Sequence, residues 1–174
     1  GGRYGLGMRG AAIAGNPGLI EMIKHHRMFY ADMRDPVSLL KGELSDTELK
    51  HYWAYARRGA EDLEVKDVAA YSALMSKSQT LVGDMLLDIY SLERHHVLLD
   101  IGGGDGEFIL RAAARPPHLS FKHFDLPAVS KLAASRFESA GLKARAVSTG
   151  GSFFDCALPQ GADVATLIRV IHDH

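Results

Sequence analysis

The segment that most restricts this chain is Leu99-Asp100-Ile101-Gly102-Gly103-Gly104-Asp105-Gly106-Glu107-Phe108. It reads as the end of a short buried strand (97–101), a turn made largely of glycine, and a helix over 107–114. Glycines in such a turn let the backbone pass close to a ligand. The helix that follows presents free N–H groups. A second strand is expected over 119–124, ending at Asp125, then a helix over 127–140 with Gly141 at its end. Further strands are expected over 144–147 and 164–171. Strands alternating with helices at this spacing predict a parallel, doubly wound, Rossmann-like α/β sheet.

Two cofactor classes use a strand, glycine turn and helix. A dinucleotide site asks for Gly-x-Gly-x-x-Gly with the pyrophosphate on the helix N-terminus. Gly102 and Gly104 fit, but the sixth position is Glu107, whose carboxylate is a poor neighbour for a pyrophosphate. The spacing present is Gly-x-Gly-x-Gly (Gly102, Gly104, Gly106), preceded by Asp100. That suits S-adenosylmethionine, which has no phosphate and carries a sulfonium and an ammonium. Asp125 stands where a parallel fold places an acid to accept hydrogen bonds from a ribose diol. Its alternative role is to cap the helix beginning near Pro127.

The first 65 residues have a different texture. Residues 1–15 are glycine-rich with short apolar pieces, and a small turn or wing is expected there. Asn16-Pro17 reads as an N-cap followed by proline at the first helical position, opening a helix to about Asp32. Asp35-Pro36 ends it, and 37–40 is expected to be a short apolar link. Ser45-Asp46-Thr47-Glu48 has the form of a capping box and starts a helix to about Arg57. The longest helical pattern begins at Val65-Lys66-Asp67. Its apolar stripe is Val68, Tyr71, Leu74, Met75, Leu81, Val82, Met85, Leu86 and Ile89.

Composition excludes several classes. Twenty basic against 21 acidic residues among 174 give a net charge of −1, which argues against non-specific nucleic-acid binding. No apolar run is long enough to span a bilayer. One cysteine, Cys156, excludes an internal disulfide, and a reducing, cytoplasmic compartment is the simplest reading. Neither terminus has the look of a natural end, so the chain is expected to be a fragment, inactive alone.

With these motifs in place, the chain resembles the S-adenosylmethionine-dependent O-methyltransferases of the plant caffeate/flavonoid type and their bacterial relatives. The resemblance rests on the run from Asp100 to Gly106, on Phe124-Asp125-Leu126-Pro127, on Gly150-Gly151-Ser152-Phe153-Phe154 and on Ile171-His172-Asp173, in that order. It implies that residues 1–65 are the end of a winged-helix dimerisation domain with its linker helices, and that 66–174 are the methyltransferase domain, truncated after the fourth strand. Gly102 and Gly104 would shape the methionine end of the cofactor pocket and Asp125 would hold the ribose hydroxyls. Ser152 stands where relatives often have an aspartate on the adenine amino group. Phe153 would lie against the adenine face, and Met75 at the transfer centre beside the acceptor. The plant members' lysine position is Ile168 here, and the basic residue is Arg169, one place later.

In the resembling family the histidine matching His172 removes the acceptor's proton. A neutral imidazole can do so as the hydroxyl attacks a sulfonium methyl, typically a 10²–10⁴-fold effect. Gly15-Asn16-Pro17-Gly18, His25-His26 with Tyr30-Ala31-Asp32, Asp35-Pro36-Val37-Ser38-Leu39-Leu40 and Arg169-Val170-Ile171-His172-Asp173-His174 add a likeness to bacterial carotenoid members. They imply an acyclic hydroxycarotenoid acceptor, whose apolar length would favour loose contact with membrane surfaces, while the family resemblance implies a homodimer. No metal site is expected. Three readings stay open beside this one: a phenolic or tetrapyrrole acceptor, an NAD-dependent dehydrogenase, and a non-enzymatic winged-helix regulator.

Overall fold

Four short strands pair in parallel to form the frame of the C-terminal part: β1 (Val97–Ile101), β2 (Ser120–Asp125), β3 (Ala146–Gly150) and β4 (Val164–Thr166). The sheet order is β3-β2-β1-β4. The chain winds outward from β1 through β2 to β3, then returns past its start to lay β4 on the other side of β1. That reversal puts a topological switch point between β1 and β4, where open α/β sheets bind ligands beyond the strands' carboxyl ends. The computed structural model describes residues 2–52 and 64–171.

Helices α5 (Val65–Ile89), α6 (Glu107–Ala113) and α7 (Pro127–Ser139) cover one face of the sheet. Register explains what they cover. Val164, Leu98, Phe121 and Ala146 stand side by side across the four strands. Leu98 and Phe121 are buried against Phe108, Ile109 and Ala112 of α6, Ala133 and Phe137 of α7 and Leu87 of α5. Each such large side chain contributes about 1.5–3 kcal/mol by leaving water. Two residues further along, on the same face, the row is polar: Thr166, Asp100, His123 and Ser148. The opposite face carries Leu99, Ile101 and Phe124, packed by Phe153, Leu158 and Ala162 from the segment before β4. Asp163 ties that segment to the sheet by accepting the N–H groups of His96 and Val97.

The parallel Rossmann-like sheet is as the sequence implied, with shifts in detail. β3 lies later than expected. β4 is three residues long, not eight, and 167–171 form a turn in which Arg169 takes a left-handed conformation (φ 58°). The α5 stripe is also rotated. Leu74 and Leu87 are buried with Ser72 and Ser76, whereas Val82, Met85 and Ile89 are exposed.

The chain divides into two compact units, residues 1–53 and 54–174. The described part of the first is helical: α1 (Met8–Ala14), α2 (Pro17–Asp32), α3 (Pro36–Leu40) and α4 (Glu48–Tyr52). Asn16 caps α2 as expected, its side chain accepting from the Leu19 N–H at 3.2 Å. Two expectations fail here. Residues 8–14, read as a turn or wing, are a helix. Residues 36–40, read as a link, are a helical turn, because the Asp35 carboxylate accepts from the Ser38 N–H and Pro36 supplies the right φ. The capping box is replaced by a longer-range device. Thr47 caps Lys50, and Asp32 at the end of α2 accepts from the Glu48 and Leu49 N–H groups. Residues 53–57, expected to continue that helix, lie outside the described residues.

Candidate cofactor site

The turn after β1 is shaped by backbone geometry that only glycine adopts freely. Gly102, Gly104 and Gly106 have φ of 66°, 61° and 84°. The three differ in their surroundings. A Cβ on Gly102 would come within 2.7 Å of Val170, in the turn after β4. One on Gly106 would overlap the Phe137 ring. One on Gly104 would meet nothing within 4 Å, so the backbone is bare to open space at that residue. At Gly103 a Cβ would run into Asp100 Oδ2 at 2.5 Å and His123 Cδ2 at 2.7 Å. The turn therefore rests directly on the polar row of the sheet.

Two carboxylates meet it. Asp125, at the end of β2, accepts from the Gly104 N–H (2.8 Å, Oδ2) and the Leu126 N–H (2.7 Å, Oδ1). It does not cap α7 from the N-cap position, which belongs to Leu126. Each oxygen keeps a second lone pair, enough to accept two hydroxyls. Burial pushes the Asp125 carboxyl up to about 6, against the pull of the two N–H groups.

Asp100 is 1% exposed. Its Oδ1 accepts from Thr166 Oγ1 at 2.7 Å. Its Oδ2 has no hydrogen-bond partner among the described residues. Burial raises this acid to about 7, opposed by the Thr166 hydroxyl and helped by the nearby Asp125 charge. A buried carboxylate oxygen without a donor is costly and is a candidate for ligand binding. The sequence marked Asp100 as a favourable neighbour of a cation; that one oxygen is left over could be read only from the packing.

The residues around this centre are placed as follows. Glu107, expected to face an incoming phosphate, is instead held by Arg111 (2.9 Å) and Arg136 (2.6 Å), and Arg136 also pairs with Asp105 (2.6 Å). Arg111 also pairs with Asp84 at 2.7 Å, so two guanidiniums serve three carboxylates, and the Glu107 carboxylate is turned toward them. Ser152 lies just beyond β3, its hydroxyl accepting from the Phe154 N–H at 3.3 Å and still able to donate. Phe153 is partly buried against Leu99, Ile101 and Phe124. Arg169 points across to α5, donating from Nη1 to Ser78 Oγ at 2.6 Å, and that hydroxyl donates to the Met75 carbonyl at 2.9 Å. Arg169 and Met75, 94 residues apart in their numbering, are thus brought together. His172 lies outside the described residues, as do Asp173 and His174. Cys156 is exposed in a loop. Among the described residues no cluster fit for a metal occurs and no helix is long and apolar enough to cross a membrane.

The residues present fit a cofactor with a cationic end and a diol. Bare backbone at Gly104, an unsatisfied acid beneath the turn and a second acid at the next strand end supply complementary groups. Comparison with known proteins agrees. Residues 30–174 match the model of the O-methyltransferase domain family, in which S-adenosylmethionine is the methyl donor. Demethylspheroidene O-methyltransferase of Cereibacter sphaeroides is 43% identical over 99% of this chain and 45% of its own length. The enzyme of that name from Rhodobacter capsulatus is 39% identical over 99% of this chain and 42% of its own. The chain therefore spans less than half the length of these relatives. Among solved structures, TnmH superposes with a TM-score of 0.64 at 25% identity, covering 83% of this chain and 43% of that one. Glycine turn, paired acids and family match converge, and the chain belongs to the O-methyltransferase domain family.

Proposed function

We propose that this chain carries the donor site and the general base of an S-adenosylmethionine-dependent O-methyltransferase acting on a hydroxyl of an acyclic hydroxycarotenoid. The observation that carries the donor assignment is the unpartnered Asp100 oxygen under the glycine turn, with Asp125 beside it. The acceptor class is supported by the two demethylspheroidene enzymes, each aligned over nearly the whole chain.

S-adenosylmethionine, when bound, supplies a methyl group on a positively charged sulfur, ready for in-line attack by an oxygen. Gly102 and Gly104 admit its methionine end, Asp100 balances its cationic charge, and Asp125 accepts from its ribose hydroxyls. Ser152 and Phe153 border the adenine. Arg169, through Ser78, positions the Met75 segment of α5 beside the acceptor. His172 takes the acceptor hydroxyl's proton as the oxygen attacks. Aligning the two reactants contributes up to roughly 7–11 kcal/mol.

We further propose that residues 1–65 are part of a winged-helix dimerisation domain with its linker helices, and that the intact protein is a cytoplasmic homodimer touching membranes only peripherally to collect its apolar acceptor. The test uses the intact protein, methyl-labelled S-adenosylmethionine and a hydroxylated acyclic carotenoid. Label enters the carotenoid with wild type and falls 10²–10⁴-fold with His172→Ala. Equal transfer by the variant sinks the base. Binding of S-adenosylhomocysteine without transfer sinks the acceptor.

A further inference from the structure

His123 is fully buried, sits on β2 two residues before Asp125, and has no part in the chemistry above. The sheet register puts it between Asp100 on β1 and Ser148 on β3. Its ring packs edge-on against Phe137, with centroids 5.8 Å apart. Its Nε2 lies 2.8 Å from the Gly104 carbonyl oxygen and its Nδ1 lies 2.9 Å from Ser148 Oγ.

The partners assign the proton. A carbonyl can only accept, so Nε2 carries the hydrogen and donates it to Gly104. Burial holds the ring down to about 4, so it is neutral and Nδ1 is the acceptor. The Ser148 hydroxyl lies 2.9 Å from both Nδ1 and the Ser130 carbonyl and has one hydrogen for the two, so a neutral Nε2–H ring is satisfied when that hydrogen is directed to Nδ1 instead of the carbonyl. Gly104 is consequently held at both ends. Its N–H is fixed by Asp125 at 2.8 Å and its carbonyl by His123 at 2.8 Å. Between those anchors it is in the left-handed conformation and its Cα faces open space.

We propose that His123, as the neutral Nε2–H tautomer, is a positioning residue for the donor site: it pins the Gly104 carbonyl, and through that residue, whose N–H is held by Asp125, it fixes both the bare backbone of the glycine turn and the direction of the Asp125 carboxylate. The inference rests on the S-adenosylmethionine reading of that turn. Without the imidazole, the Gly104 carbonyl loses its donor and the turn must be ordered at the moment of binding, which lowers affinity. A leucine fills the space but donates nothing. A glutamine supplies an N–H for Gly104 and an oxygen for Ser148.

The experiment uses the intact protein with wild-type His123, His123→Leu and His123→Gln. Calorimetry measures S-adenosylhomocysteine affinity, and thermal melting measures stability. ¹⁵N NMR of the ligand-free wild type reads the tautomer. The expected results are an Nε2–H imidazole, affinity about tenfold weaker in His123→Leu, and recovery to within about threefold in His123→Gln, although both variants melt below wild type. An Nδ1–H imidazole overturns the proposal, as does a leucine variant that binds as tightly as wild type. If the leucine variant does not fold, Ser148→Ala replaces it: removing the donor to Nδ1 is expected to weaken affinity severalfold, and unchanged affinity overturns the proposal. A wild type that binds no S-adenosylhomocysteine overturns the cofactor reading instead, and the tautomer measurement still decides the geometry.

Discussion

The properties of single residues here are set by which charge each is left facing. Asp100 has one oxygen satisfied by Thr166 and one by none of the described residues. Burial raises its acid to about 7 in the ligand-free protein. A cationic ligand favours the ionised carboxylate, so binding must expel the proton. Affinity for S-adenosylhomocysteine, whose ammonium is retained, is therefore expected to rise with pH up to about 7, by as much as about tenfold per unit. Asp100→Asn should weaken binding above pH 7 and flatten the profile, leaving the shallower contribution of Asp125. Calorimetry between pH 5.5 and 8.5 checks this, and an unchanged slope in the variant would exclude Asp100 as the cation's partner. Asp100 and Asp125 were both visible in the sequence because acids at strand ends flank a glycine turn. His123 was not: a lone histidine within a strand carries no signal until the register shows what stands beside it.

At the scale of elements, the glycines of one turn serve two separate ends. Gly106 is the N-cap of α6 and lies against the Phe137 ring of α7. Gly104 faces open space. Gly106→Ala forces a methyl into a filled core and a left-handed alanine, and should cost about 1–3 kcal/mol for overpacking and roughly 1–2 kcal/mol for the backbone. Gly104→Ala bears only the backbone cost but puts a methyl where the cofactor is proposed to lie. Urea unfolding with ligand titration separates them: Gly106→Ala is the less stable, and Gly104→Ala loses more affinity for its loss of stability. The Arg136, Glu107 and Asp105 cluster joins the turn to α6 and α7, and Ser76 brings in α5 through its hydrogen bond with Arg136. Element identity was legible where capping residues were unambiguous, as at Asn16-Pro17 and Gly141. It was misread at residues 8–14 and at β4, where a short apolar stretch fits more than one conformation.

For the whole molecule, the polar row across the sheet makes stability depend on pH in an unusual direction. Folded Asp100 and Asp125 keep their protons to about pH 7 and 6, whereas the unfolded chain releases them near 3.8. His123 acts oppositely, because burial lowers it to about 4, against 6.5 when unfolded. Its share of stability is complete above 6.5 and lost as pH falls toward 4. The two acids outweigh it: between about pH 4 and 7 the folded state binds more protons, so stability falls as pH rises. Ligand-free protein is expected to melt higher at pH 5.5 than at pH 7.5, and saturating S-adenosylhomocysteine should reduce or reverse the difference. Calorimetric melts at the two pH values test it, and the reverse order without ligand would show that these groups do not dominate. The sequence by itself determined the order of strands and helices from residue 65 onward, the glycine turn and the family, because turn chemistry, caps and motif spacing are local properties. Only the tertiary structure decided that Asp100 is left with an empty oxygen, that His123 holds Gly104, that Glu107 pairs with two arginines and that Arg169 reaches α5. Those outcomes depend on which residues a parallel register sets side by side, and no local pattern in the chain encodes that register.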